Sequence, residues 1–205
     1  MANDLAALKA LIANNIERSD LDDEIAAAIT VSIEFYADRP FWFLEEDGTV
    51  DTVADQAYVN VPDGLRVHDE EGVEILVNGS TYELGVMTWR EYRRHQRVAS
   101  SSGQPYGYTY RNGQFFLHPT PDDAYTVTVF GIYDADALTA DSSVNVWTDA
   151  GRDLIAGDVA MRLGRDVMRD SEIETKGMRK LEIALAELTR KTTRRKRTGK
   201  VRGHL

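Results

Sequence analysis

The chain has 205 residues, of which 42% are hydrophobic and 28% charged, a composition typical of a globular protein that can bury its own core. It contains no cysteine, which excludes disulfide bonds, thiolate metal ligands and cysteine nucleophiles. No apolar run approaches the roughly 20 residues that a membrane span requires. The N-terminal segment carries early acidic residues instead of a basic leader, so we expect no secretory signal.

The formal net charge of −10 is unevenly distributed along the chain. Residues 188–205 hold eight basic residues and no acidic one, whereas residues 1–187 hold 16 basic and 34 acidic residues. We therefore predict a flexible basic arm over residues 190–205 that docks on an acidic protein surface or on nucleic acid. The alternative is a solvated tail without a partner. The basic residues of the arm are Arg190, Lys191, Arg194, Arg195, Lys196, Arg197, Lys200 and Arg202.

Two N-terminal helices are predicted over residues 1–40. Their apolar residues recur every three or four positions, the period of a helix with one buried face: Leu5, Leu8, Ile12 and Ile16 in the first, and Leu21, Ile25, Ile29, Ile33 and Tyr36 in the second. Asn3 or Asp4 is expected to cap the first helix. Ser19 or Asp20 is expected to cap the second, which Pro40 ends.

From residue 41 to 134 the helical period gives way to short runs rich in β-branched and aromatic residues, separated by turn dipeptides. Asn78-Gly79 and Asn112-Gly113 each separate two such runs, the strongest short-range signal for a β-hairpin. Residues 125–133 alternate between two faces, as a strand does. We therefore predict an antiparallel, sandwich-like β region, interrupted by a short helix over residues 88–98.

A C-terminal helix pair is predicted over residues 147–189. Thr148 or Asp149 is expected to cap a helix over residues 149–169. The last helix has the packing seam Met178, Leu181, Leu185 and Leu188. The resulting fold class is α+β: helices from both ends of the chain form one bundle, and the β-rich region is inserted between them. Phe41, Trp42 and Phe43, at the junction, are expected to pack in the core between the two regions.

Motifs that carry chemistry are scarce. The chain has no phosphate-binding glycine loop and no nucleophile elbow. Its four histidines, at positions 68, 95, 118 and 204, do not have the spacing of metal ligands. The pair Asp134 and Asp136 follows a strand and is the one carboxylate pair placed as a metal site would be, but it lacks the rest of a calcium loop. We therefore predict no catalytic residue, no metal and no cofactor.

The short predicted helix carries a cluster of basic residues. Residues 89–97 interleave aromatic and basic side chains, and four arginines share one helical face: Arg90, Arg93, Arg94 and Arg97. This face either contacts a partner or DNA, or is solvated or salt-bridged to acidic residues of the same chain.

Two stretches of the chain have a distinctive pattern. The first is RSDLDDEI, residues 18–25, which follows a short helix. The second runs from Gly103 to Trp147 and includes the Asn112-Gly113 hairpin, an apolar strand that closes in Pro119 and Pro121, and a strand that ends in Tyr133. In the order and spacing of these features, together with the helix that follows, the chain resembles the phage head–tail adaptor proteins, the connector subunits that lie below the portal ring.

The resemblance implies a non-enzymatic subunit of the virion neck, made in the cytoplasm of the bacterial host. It implies contacts with the portal protein, with a tail or nozzle protein, and with further copies of the chain in a ring, a dodecamer that matches the portal. Genomic double-stranded DNA would pass through this ring. Two other functions stay open: a nucleic-acid-binding accessory protein that uses the basic arm, and a tail-associated hydrolase that uses Asp134 and Asp136.

Overall fold

A computed structural model of the chain describes residues 3–67, 72–98 and 101–199. The chain divides into two compact units: Met1–Leu44 with Ala135–Leu205, and Glu45–Asp134. The first is helical and the second is mainly β-sheet, so the predicted α+β class is confirmed. The helices are α1 (Leu5–Ile16), α2 (Asp22–Tyr36), α3 (Trp89–Val98), α4 (Arg152–Leu163) and α5 (Ser171–Gly199).

The N-terminal helices differ in how they begin. Asp4 caps α1, because its carboxylate accepts a hydrogen bond from the backbone N–H of Ala7 at 2.9 Å. The predicted cap of α2 is wrong: Leu21 occupies the capping position and makes no side-chain hydrogen bond. Asp20 instead forms two hydrogen bonds of 2.6 Å with the guanidinium of Arg18. The acidic first turn of α2 still favours the helix through the helix dipole.

Helix α4 is the centre of the helical unit and packs against α1, α2 and α5. Residues 154–160 are buried without interruption, so α4 has no solvent face over two turns. The helix is shorter than predicted, because a π-helical turn, Gly164–Met168, replaces its last part. Its predicted cap is also wrong: Gly151 precedes the helix, and Thr148 is buried and hydrogen-bonded to Asn145.

The contact between α4 and α5 depends on closely packed glycines in addition to the leucines of the predicted seam. A Cβ atom added at Gly157 would lie 2.6 Å from the backbone nitrogen of Leu181, and one added at Gly164 would lie 2.6 Å from that of Glu174. The two backbones therefore approach more closely than larger side chains allow. The buried residues of α5 are Ile173, Gly177, Ala184, Leu188 and Thr192, whereas Met178 of the predicted seam is exposed.

Helix α5 extends further than the sequence pattern predicts. The apolar seam predicts a helix that ends at residue 189 and a flexible arm beyond it, but the helix continues through Gly199. Leu188 and Thr192 are buried on the same side of the helix, so packing carries the helical conformation into the basic segment. Residues 200–205 lie outside the described part of the chain.

The β unit consists of two sheets around one core. Its strands are β1 (Glu45–Asp51), β2 (Tyr58–Asn60), β3 (Leu65–Val67), β4 (Val73–Val77), β5 (Ser80–Glu83), β6 (Gly85–Val86), β7 (Gly107–Arg111), β8 (Gln114–His118) and β9 (Thr126–Tyr133). One sheet has the order β1-β9-β4-β5 with β3 also paired to β9, and the other has the order β2-β8-β7-β6. Ile75, Phe115 and Val127 belong to a single buried cluster to which both sheets contribute, as in a sandwich.

Both predicted hairpins are confirmed. Asn78-Gly79 joins β4 to β5 and Asn112-Gly113 joins β7 to β8, and all four turn residues have the positive φ angles of a type I′ turn. The strand pairs are antiparallel except for β6 and β7, which are parallel. The β unit begins at Glu45, four residues later than predicted, because Phe41 and Phe43 pack edge-on against the buried Trp147 of the helical unit.

The short helix α3 covers the outer face of the four-stranded sheet. Phe115 and Leu117 of β8 point into the core, so Phe116 between them points outward. The rings of Trp89 and Tyr92 lie 5.1 and 5.7 Å from the ring of Phe116. These contacts fix which side of α3 faces the sheet and leave its arginines exposed.

Candidate functional site

The basic end of α5 (residues 190–199) is held against the segment that follows α2. The backbone N–H of Trp42 donates a hydrogen bond to Thr192 Oγ1 at 3.2 Å, and Thr192 Oγ1 in turn donates to the carbonyl of Leu188. The guanidinium carbon of Arg195 lies 3.7 Å from the centre of the Trp42 ring. Such a cation–π contact contributes about 0.5–2 kcal/mol, depending on how far it is desolvated.

These contacts divide the basic residues of this segment into two groups. Arg195 is packed on Trp42, and Lys191 forms an ion pair of 2.8 Å with Glu187, one turn earlier on the same helix. Arg190 and Arg194 are exposed and line a shallow groove along the outer side of α5. The groove is completed by small and apolar side chains, and its lining is Glu182, Leu185, Ala186, Thr189, Arg190, Thr193 and Arg194.

The remaining predicted arm residues lie beyond what the structure describes in detail. The backbone of Lys196 and Arg197 belongs to α5, but their side chains are not described. Lys200 and Arg202 lie outside the described residues, as do two of the four histidines, His68 and His204.

The second candidate surface is the α3 arginine face (Arg90, Arg93, Arg94 and Arg97). All four side chains are exposed, and among the described residues none of them forms an ion pair with a carboxylate. These exposed side chains agree with the solvated face, and a contact of this face with a partner or DNA stays a prediction. Arg111 at the end of β7 adds a fifth guanidinium, because it lies 4.7 Å from the centre of the Trp89 ring.

The carboxylate of Glu91 caps the helix and, among the described residues, forms no ion pair with these arginines. It accepts hydrogen bonds from the backbone N–H and the hydroxyl of Thr88 at 2.8 and 2.7 Å, while the N–H of Glu91 donates to Thr88 Oγ1. These bonds hold the pKa of Glu91 below its usual value. Glu91 thus fixes the first turn of α3.

Two of the histidines come together, although they are 23 positions apart in the sequence. The rings of His95 on α3 and His118 on β8 are 4.7 Å apart. His118 is buried, and its Nδ1 has no hydrogen-bond partner among the described residues. Burial, and then the neighbouring imidazole of His95, lower the pKa of His118 below its usual value. His118 is therefore neutral at neutral pH, and the contact of the two rings contributes to the packing of α3 on the sheet.

Asp134 and Asp136 have structural roles. The carboxylate of Asp134 forms an ion pair with Arg66, and its backbone N–H donates to the carbonyl of Gly64. The carbonyl of Asp136 accepts a hydrogen bond from Asn145 Nδ2 at 2.7 Å. Within residues 3–67, 72–98 and 101–199, no group of three or more histidine or carboxylate side chains could hold a metal ion. In the same ranges, no helix is long and apolar enough to cross a membrane.

The two basic clusters can be identified from the sequence, but the contacts that hold them in place cannot. The contact of Trp42 with Thr192 joins residues 150 positions apart, and no local pattern signals it. Arg111 can be added to the α3 arginine face only by knowing that α3 lies over the sheet next to β7. The closely packed glycines of α4 and α5 do have a signal, since Gly157 and Gly164 are seven residues apart and lie on one helical face.

The two basic clusters belong to different units of the chain, and a single family model matches both units. Among curated proteins, no sequence matches the chain significantly. A family model described as SU10 adaptor protein matches residues 3–203, which include both basic clusters and nearly all of both units. The chain therefore belongs to the SU10 adaptor protein family, a family of phage head-to-tail adaptors, as its resemblance predicted.

Proposed function

We propose that the chain is a subunit of an adaptor ring that joins the portal to the tail in the virion neck and forms part of the DNA exit channel. The protein is structural and not enzymatic in this proposal, and it is made in the cytoplasm of the bacterial host before it joins the virion. The observation that carries the proposal is the family match over residues 3–203. Its partners are the portal protein, a tail or nozzle protein, and further copies of the chain in a dodecamer.

The basic end of α5 is our candidate for the portal contact. Thr192 and Arg195 attach this segment to Trp42, so Arg190 and Arg194 are presented on a rigid helix and not on a flexible arm. A rigid helix loses less conformational entropy on binding than a flexible tail does. The groove beside the two arginines offers apolar contact area, and the arginines select an acidic partner surface.

Portal binding tests this assignment. The purified chain is mixed with the portal oligomer of the same phage, and the complex is examined by negative-stain electron microscopy and by affinity measurement. We expect rings stacked coaxially on the portal. Reversing two charges, in Arg190→Glu/Arg194→Glu, is expected to weaken portal binding by about a hundredfold, since close interfacial charges contribute several kcal/mol.

Arg169→Glu/Arg179→Glu is the matched control, because it makes the same charge change on exposed residues just before and near the start of α5, for which the described residues show no ion pair. Equal losses in both variants would show that only the overall charge matters. If Arg190→Glu/Arg194→Glu binds the portal as the wild type does, the portal contact lies on another surface of the chain. If the wild-type chain forms no ring with the portal, the adaptor function itself is contradicted.

The overall acidity of the chain suits a DNA channel. Residues 1–187 carry 34 acidic and 16 basic residues, and a negative channel wall does not retain passing phosphates. A map of the assembled ring should therefore place mainly acidic and neutral side chains on the inner wall. A wall lined mainly by basic residues would contradict this part of the proposal.

The second candidate, a nucleic-acid-binding accessory protein, is favoured by one observation: both basic clusters contain exposed arginines. In this case the basic end of α5 would carry the affinity for phosphate. The affinity for a DNA duplex and its dependence on salt separate the two functions.

A further inference from the structure

One outer face of the β sandwich is acidic. In β1, Gly48 and Val50 point towards the core, so Asp47 and Asp51 point outward, and Thr126 Oγ1 on β9 donates a hydrogen bond to Asp51 on this side. In β4, Val73, Ile75 and Val77 are in the core, so Glu74 points outward, and Glu83 of β5 is directly opposite it. We call these four residues, Asp47, Asp51, Glu74 and Glu83, the acidic sheet face.

In the part of the chain that the structure describes, no ion pair compensates the charges of the acidic sheet face. Among the described residues, none of its four carboxylates forms an ion pair, and the basic residue of the same sheet, Arg66 of β3, pairs with Asp134 instead. Glu74 and Glu83 are directly opposite each other on neighbouring strands, an arrangement of like charges that destabilises a sheet. This surface therefore has a free-energy cost that a cationic partner would relieve.

The α3 arginine face has the complementary property on the other side of the same sandwich. Helix α3 covers the outer face of the four-stranded sheet, and the shared core separates it from the acidic sheet face. Arg90 and Arg94, like Arg93 and Arg97, are one turn apart, so their like charges repel each other. Of the six basic residues in Glu45–Asp134, five are these four arginines and Arg111. The β unit thus has opposite charges on opposite outer surfaces.

We propose that the α3 arginine face of one copy docks on the acidic sheet face of the next copy in the ring. This inference rests on the proposed function, since it assigns a contact within the adaptor ring. Each copy carries both surfaces on opposite sides, so the same contact can be repeated from copy to copy, which is the heterologous interface that a closed ring requires. Four guanidinium groups meet four carboxylates.

The two surfaces also match in size. From Arg90 to Arg97 the helix rises about 10 Å, at 1.5 Å per residue. From β1 to β5 the acidic sheet face crosses three strand spacings, about 14 Å. Arginine side chains reach several ångströms beyond the helix, so all four can meet carboxylates of one neighbouring copy, and their planar groups can bind each carboxylate by two hydrogen bonds.

A second copy fits these observations better than DNA does. Glu45–Asp134 holds 15 acidic residues against its six basic ones, so a long, uniformly negative duplex would meet repulsion from the rest of the unit. A neighbouring copy is acidic overall too, but the acidic sheet face is a limited patch, so the contact does not require a long, uniformly negative partner.

Charge reversal with rescue tests the contact in the full-length chain. The variants are Arg93→Glu/Arg97→Glu, Asp47→Arg/Glu83→Arg, and the two combined, which restores the original net charge. Ring formation on the portal oligomer is followed by mass photometry and electron microscopy. We expect each reversal to weaken ring formation by about tenfold or more, and the combined variant to recover most of the loss, since the reversed pairs attract each other again.

Matched controls and cross-linking make the result specific. Asp63→Arg/Asp122→Arg makes the same charge change at exposed loop residues and should leave ring formation intact. Because the chain has no cysteine, Asp47→Cys/Arg94→Cys can be treated with a short bis-maleimide; we expect a ladder of covalent oligomers, whereas each single-cysteine variant can give dimers at most.

Several outcomes would overturn the contact. Rings that form equally well with Arg93→Glu/Arg97→Glu would disprove it and leave the adaptor function standing. A loss of duplex affinity in this variant, without any change in ring formation, would make the α3 arginine face a DNA contact instead. A wild-type chain that forms no ring on the portal would contradict the proposed function and this contact together.

Discussion

At the scale of single residues, neighbours in space decide which charges are available to a partner. Arg190 and Arg195 lie five positions apart on the same helix and are identical in type, but Arg195 lies over the ring of Trp42 while Arg190 lines the groove of α5. Glu91 stands among four arginines, yet its carboxylate is bound to Thr88. A count of charges along the sequence therefore does not describe the surface that a partner meets.

The buried His118 makes stability depend on pH. Burial and the neighbouring His95 lower its pKa below the usual value of 6.5, so below pH 6.5 the unfolded chain binds a proton that the folded chain does not accept. The contribution of His118 to the free energy of unfolding is therefore constant above this pH and decreases as the pH drops below it. Thermal unfolding of the wild type and of His118→Gln between about pH 5 and 8, the range in which histidine titrates, measures this effect.

We expect the melting temperature of His118→Gln to fall less steeply on acidification than that of the wild type. His95→Gln should reduce the slope only in part, because it removes the smaller cause of the shift and leaves the burial of His118 unchanged. If the melting temperatures of the wild type and of His118→Gln decrease with pH by the same amount, groups other than His118 cause the sensitivity to acid.

At the scale of elements, Gly157 of α4 sets how closely α4 and α5 approach each other. Gly157→Ala would place a Cβ atom 2.6 Å from the backbone nitrogen and 2.9 Å from the Cα of Leu181. Backbone atoms of a long helix cannot move aside as a flexible side chain can. The gain in helix propensity from glycine to alanine is about 1 kcal/mol, and overpacking costs about 1–3 kcal/mol, so we expect net destabilisation.

Chemical denaturation of Gly157→Ala measures this change, with Gly103→Ala as the control. A Cβ atom at Gly103 would meet only Pro119, at the ordinary distance of 3.7 Å, so its free energy of unfolding should be close to that of the wild type. A Gly157→Ala variant as stable as the wild type would mean that α4 and α5 separate without cost and that their close approach does not stabilise the unit.

At the scale of the whole molecule, the distribution of charge separates the adaptor from a nucleic-acid-binding protein. The net charge of −10 opposes binding to DNA, and the basic segments attract it. We expect the free chain to bind a short duplex weakly at about 150 mM salt, in the range of non-specific affinities of about 10⁻⁴ to 10⁻⁶ M or weaker. Fluorescence anisotropy at several salt concentrations measures this affinity.

The nucleic-acid-binding function predicts a different result. The wild type would then bind tightly with a steep dependence on salt, and Arg190→Glu/Arg194→Glu would lose most of the affinity. This double variant is preferable to a truncation at residue 189, because truncation also removes Thr192 and Arg195, which attach α5 to Trp42.

Most of the fold can be predicted from local patterns, because local interactions produce it. The burial of Leu8, Ile12 and Ile25 follows from helical periodicity, and both Asn-Gly hairpins follow from the positive φ angles that asparagine and glycine tolerate. The errors lie at the helix ends. Asp20 has the side chain of a helix cap but binds Arg18, and α5 ends at Gly199 although its apolar seam stops near residue 189. At such positions, side-chain contacts that the helical period does not reveal decide where a helix begins and ends.

The sequence by itself determined the class of this protein: its α+β order, its excess of acidic residues, its two basic clusters, and its resemblance to the head–tail adaptors that the family match confirms. Only the tertiary structure decided how those charges are presented. Strand pairing gathers carboxylates from three separate strands on one outer surface, and the packing of α3 on Phe116 places four arginines on the other. Such surfaces depend on residues far apart in the chain, and sequence periodicity reports only on neighbours.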